Sequence, residues 1–156
     1  MIKFCKDQWN ANREHLEEAL RGDTQLNTCD YKYLLSLVVE HILNPGLLSF
    51  EQGWSARNIT VIGDGDYQGT LMFLIPKACY QPSESEYLLT FVNYGSCSGC
   101  DTLMGIQDLD DVKPPTEQQL KDYMALCKAL VENVVKPYND GWREDERYNT
   151  VELEEN

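Results

Sequence analysis

The sequence predicts an α+β domain, an antiparallel sheet of three strands or slightly more packed against about three helices. Three observations carry this reading. Apolar residues recur at helical spacing early and late in the chain, strand-like runs occupy its middle, and two of those runs are separated by only a few glycines and aspartates. Parallel strands need a crossover of a dozen residues or more, so this short separation requires a hairpin. At 156 residues, 42% of them hydrophobic, the chain suits one core that does not depend on disulfides or metals. That domain is assigned to residues 1–137. Residues 138–156 hold seven acidic side chains and two arginines without an apolar period, and are expected to form a mobile acidic tail.

The first helix is expected over residues 6–21, with Trp9, Leu16 and Leu20 on one face and Gly22 stopping it. Tyr31, Leu34, Leu35, Val38 and Ile42 follow the spacing of a second amphipathic helix, which Asn44-Pro45-Gly46 terminates. An irregular connection over residues 47–58 leads to strands at 59–62 and 69–75, joined by a turn at Gly63 to Gln68. A third strand spans 87–94. Its two alternating sets, Tyr87, Leu89 and Phe91 against Leu88, Val92 and Tyr94, are both apolar, which predicts cover on both faces. The last helix is expected over 116–136, opened by a capping box of Thr116 and Gln119 and closed by Pro137.

Twenty-six acidic residues against thirteen basic ones give a net charge of −13. That charge opposes direct binding to nucleic acid or to an anionic membrane, and a charged partner is expected to be basic. No apolar run approaches the roughly 20 residues needed to cross a bilayer. The polar start has no signal-peptide core, so a cytoplasmic protein is expected.

Potential chemistry concentrates in Tyr94-Gly95-Ser96-Cys97-Ser98-Gly99-Cys100-Asp101. A pair of cysteines three positions apart can close a disulfide, supply half a metal site or present a reactive thiolate. Ser96, Ser98 and Gly99 are small enough to leave backbone N–H groups open to a thiolate or an anion. Two features oppose thiolate chemistry: Asp101-Thr102-Leu103-Met104-Gly105 is a poor helix start, and Asp101 adds negative charge. A structural zinc needs four ligands, and one cysteine pair supplies two. Cys79 is the candidate third ligand, whereas His15 and His41 sit in helical patterns that suit packed or solvated rings. The economical alternative is a tight loop whose cysteines pack as small apolar groups. Cys5, Cys29, Cys79 and Cys127 are widely scattered and read as reduced structural thiols. No cofactor is assigned, with zinc at Cys97 and Cys100 kept as an alternative.

Asp64-Gly65-Asp66-Tyr67-Gln68-Gly69 matches the first half of a calcium loop, but the twelfth position is Ile75 where a bidentate Glu belongs. A hairpin turn explains the same residues. Phosphate loops, HExxH and GxSxG are absent from the sequence, so no catalytic or metal-binding residue is assigned. The expected contact surface combines Asp64, Asp66, Tyr67 and Gln68 with Tyr94, Ser96, Cys97, Ser98, Cys100 and Asp101. Antiparallel pairing of the second and third strands brings these two loops to one edge.

The segments GDGDYQGT (63–70) and YGSCSGCDTL (94–103) resemble a group of small uncharacterised bacteriophage-encoded proteins. The resemblance covers most of the chain up to the last helix and leaves the acidic tail unmatched. It implies a phage accessory product acting in the bacterial cytoplasm, with a host defence system as the expected target, and carries no activity with it. Two function classes follow. One is a binder that inhibits a host protein through an acidic surface; the other is a small-ligand, metal or thiol-redox site on the Cys97/Cys100 turn.

Overall fold

The computed structural model describes residues 1–48, 52–110 and 112–137; the expected acidic tail lies outside the described residues. Helix α1 spans Ile2–Arg21 and buries Cys5, Trp9, Leu16 and Leu20, the stripe its spacing demands. It starts four residues earlier than the sequence suggests because Cys5 extends that stripe by one turn. Helix α2, Tyr31–Val38, is capped by Asp30, whose side chain accepts from Tyr33 N–H at 2.8 Å. Residues Val39–Leu43 continue it as a wider π turn. Side chains from α1 satisfy the carbonyls that this turn releases: Gln8 Nε2 donates to Ile42 and Leu43 at 3.1 and 3.0 Å, and Asn12 Nδ2 to Ile42 at 3.2 Å. Gly46, at φ +77°, lets the chain leave.

Strands β1 (Thr60–Gly63), β2 (Gly69–Pro76) and β3 (Tyr87–Tyr94) form an antiparallel sheet in the order β1-β2-β3. Register pairs Val61 with Phe73 and Phe73 with Thr90 on one face, and Ile62 with Met72 and Met72 with Phe91 on the other. The first face is the core face, where Phe73, Ile75 and Leu88 are fully buried against the helices. The second face is not covered among the described residues. Phe91 is 38% and Ile62 42% exposed, so the expectation that the third strand is buried on both sides is corrected. Alternation of apolar residues on both faces indicated cover that the helices supply on one side only.

Helix α4, Glu117–Glu132, opens with the Thr116/Gln119 capping box. Thr116→Ala is expected to cost about 1 kcal/mol, read as a lower urea midpoint at unchanged slope. The helix ends four residues before the expected boundary. Val135 leaves it to pair with Leu89 of β3, through reciprocal N–H to carbonyl bonds of 2.8 Å, and Thr90 Oγ1 donates to the Leu130 carbonyl at 2.6 Å. Sheet pairing therefore outcompetes the last helical turn.

A polar knot ties α4 to the segment before α2. Asn27 is 2% exposed, and its Oδ1 accepts from Gln119 Nε2 at 3.2 Å with the Tyr123 hydroxyl 3.1 Å away. This knot joins the first half of α4 to the segment before α2.

Candidate functional site

The hairpin tip at 64–68 and the cysteine turn share one end of the sheet because β2 and β3 pair Gly69 with Tyr94. A side-chain bond fixes the juxtaposition: the Tyr94 hydroxyl donates to the Gly65 carbonyl at 2.5 Å. Asp64 closes the hairpin from within, its carboxylate accepting the Thr70 N–H at 2.5 Å across the turn. Asp64, Asp66, Tyr67 and Gln68 are all exposed, with Tyr67 at 79%.

On the other loop, Ser96, Cys97, Ser98 and Cys100 are exposed while Asp101 is buried at 6%. The Asp101 carboxylate faces inward. Its Oδ1 accepts from the Tyr31 hydroxyl at 3.0 Å and Met104 N–H at 2.9 Å, and its Oδ2 from Gly95 N–H at 3.0 Å. The Met104 bond caps α3, Thr102–Ile106, a five-residue helix where sequence reasoning expected a poor helix start. The correction has a tertiary cause. Tyr31, on α2, also accepts Leu103 N–H at 3.1 Å, and Leu103 is 3% exposed, so packing holds a segment whose own propensity is low. Burial, opposed by the Leu103 bond and reinforced by Asp101, pushes Tyr31 up to about 12.

All six cysteines are free. Cys97 and Cys100 lie in a turn closed by Cys100 N–H and Asp101 N–H, which donate to the Cys97 carbonyl at 3.0 and 2.9 Å. Cys97 N–H points at Cys100 Sγ, 3.0 Å away. The Cys97 thiol, the backbone N–H groups of Cys97 and Ser96, and the Ser96 side chain hold Cys100 below the usual thiol range. Sequence reasoning did not single out Cys100 as the sulfur that the Cys97 N–H approaches. The signal was Gly95: a Cβ there would come within 2.6 Å of Cys100 Sγ, so the glycine marks where backbone and sulfur meet.

Among the described residues no three His, Cys, Asp or Glu side chains converge as a metal site. Cys79, expected as a third ligand, follows the end of β2 opposite to this turn. His15 and His41 instead meet each other edge to face at 5.9 Å. Beneath the loops lies a cleft of about 250 Å³ on the core face, lined by Tyr31, Lys32, Leu71, Phe73, Tyr94 and Asp101 among others. Its Tyr31, Lys32 and Leu71 walls come from parts of the chain that carry no motif.

Compared with protein-family models, curated proteins and solved structures, the chain gives no match. No described helix is long and apolar enough to cross a membrane.

Proposed function

We propose that this chain is a phage accessory protein that binds and inhibits a host protein through the loop end of its sheet, with acidic side chains facing a basic surface. The observation that carries the reading is the fixed juxtaposition of two exposed loops. The Tyr94 hydroxyl holds Gly65, so Asp64, Asp66, Tyr67 and Gln68 stand beside Ser96, Cys97 and Ser98 on a rigid scaffold. Loops held this way suit recognition because little order has to be gained on binding. Tyr67 supplies a large ring at low rotamer cost, and the net charge of −13 supplies steering toward a basic partner. The outward row Ile62, Met72 and Phe91 starts at the same end of β1 and gives the acidic rim an apolar neighbour. The phage setting rests on the GDGDYQGT and YGSCSGCDTL resemblance, and a host defence protein is the target class it favours.

The test is titration of the purified host target, once isolated on immobilised protein, at low and high salt. Affinity is expected to fall about tenfold or more as ionic strength rises from about 0.05 to about 0.5 M, and inhibition to saturate at equal stoichiometry. Tyr67→Ala should weaken binding by about 1–3 kcal/mol without changing thermal stability. Affinity indifferent to salt and to Tyr67→Ala would overturn the assignment of this surface.

A further inference from the structure

Cys97 and Cys100 differ from the other four thiols in exposure and in mutual geometry. Cys5 and Cys127 are buried and Cys29 and Cys79 half-buried, whereas both members of this pair are open to solvent. A turn closed from residue i to i+3 holds its end Cα atoms within about 7 Å. That distance overlaps the window of about 4.4–6.8 Å in which a disulfide forms without backbone movement. The Cys97 carbonyl closes such a turn by accepting Cys100 N–H at 3.0 Å.

One backbone donor is aimed at the Cys100 sulfur. Cys97 N–H lies 3.0 Å from Cys100 Sγ, and the Cys100 thiol proton points to the Cys97 carbonyl at 3.2 Å. On ionisation the second bond is lost and the first strengthens, because its acceptor becomes an anion. The Asp101 carboxylate, which the sequence places next to this sulfur, is occupied by Tyr31, Gly95 and Met104 on the inward side.

We propose that Cys97 and Cys100 form a dithiol that exchanges with small or exposed disulfides, Cys100 attacking and Cys97 resolving. In the first step the Cys100 thiolate bonds to one sulfur of the disulfide, the sulfur–sulfur bond breaks, and the departing thiolate takes a proton from solvent. In the second step Cys97 loses its proton and attacks the Cys100 sulfur of the mixed disulfide, expelling the other half as a thiol. The disulfide is reduced to two thiols, and the dithiol is oxidised to a Cys97–Cys100 bridge. The inference is independent of the partner-binding reading. It assigns the attack to the second cysteine of the motif, since the Cys97 N–H is aimed at that sulfur.

The reduced full chain is incubated with glutathione disulfide, quenched by alkylation and mapped by peptide mass. Wild type is expected to end with an internal Cys97–Cys100 disulfide. Cys97→Ser is expected to accumulate the mixed disulfide on Cys100, and Cys100→Ser to consume glutathione disulfide roughly tenfold or more slowly. Ordering of alkylation in unmutated protein gives the same reading without relying on a variant: Cys100 is labelled before Cys97, with a rate midpoint below the usual thiol range of about 8.5. Adducts on Cys97 in preference to Cys100, two stable glutathione adducts without an internal bridge, or Cys100→Ser reacting as fast as wild type would each overturn it.

Discussion

Replacing Asp101 with alanine is expected to cost about 3 kcal/mol of stability and to loosen the cysteine turn. The side chain accepts three hydrogen bonds from three different segments: Tyr31 of α2, Gly95 at the end of β3 and Met104 of α3. Losing the cap of α3 costs about 1 kcal/mol. The Tyr31 hydroxyl and the buried Gly95 N–H are then left without their acceptor, at about 1 kcal/mol or more each. Urea unfolding at neutral pH measures the sum, with an unchanged slope showing that the difference lies in the folded state. Asp101→Asn should fall between. Its oxygen can still accept from Tyr31 and Met104, but its amide meets the Gly95 N–H donor against donor. Tyr31→Phe removes the Asp101 and Leu103 bonds together and is expected to cost about 1–2 kcal/mol. A loss below about 1 kcal/mol for Asp101→Ala would mean that this carboxylate does not hold the turn in place.

The same residue shows where sequence reasoning reaches its limit. The three strands, the hairpin and the Thr116/Gln119 capping box were legible because each is dictated by local spacing. The inward turn of Asp101 was not, since its partner Tyr31 lies 70 residues away in the chain. Without that partner, Asp101 beside Cys100 reads as a charge opposing a thiolate; with it, the carboxylate is withdrawn and α3 forms. The juxtaposition of hairpin tip and cysteine turn was legible from antiparallel pairing, and Tyr94 then fixes it through Gly65. The outward exposure of Phe91 was not legible, because alternation reports which residues share a face and not whether a layer covers it. Val135 falls inside the helix expected over 116–136, although Leu89, distant in the chain, offers it a sheet partner.

Stability should fall steeply as pH rises from about 9 towards 12, because several thiols and phenols are folded in their neutral forms. Burial pushes Cys5 up to about 11, with the N-terminal charge opposing it slightly. Burial, with Asp30 and Asp23 adding to it, pushes Cys29 up to about 12, and burial also raises Tyr123 and Cys127 strongly. In the unfolded chain these groups ionise at their ordinary values, about 9 for a thiol and about 10 for a phenol. Between those values and the raised ones the unfolded state binds fewer protons than the folded state, so stability declines with pH. The contribution is complete below about pH 9 and is lost as pH climbs through the raised values. Cys5 alone, moved from 9.0 to about 11, weighs about 2–3 kcal/mol at about 1.4 kcal/mol per unit. Against a typical domain stability of about 5–15 kcal/mol, a loss of this size is a large fraction of what keeps a chain folded. Urea midpoints recorded from pH 7 to 11 measure the decline. Cys127→Val, which keeps an apolar side chain of similar size in a fully buried position, should flatten the curve at high pH. A midpoint that stays level from pH 8 to 11 would show that these groups do not ionise on unfolding as their burial requires.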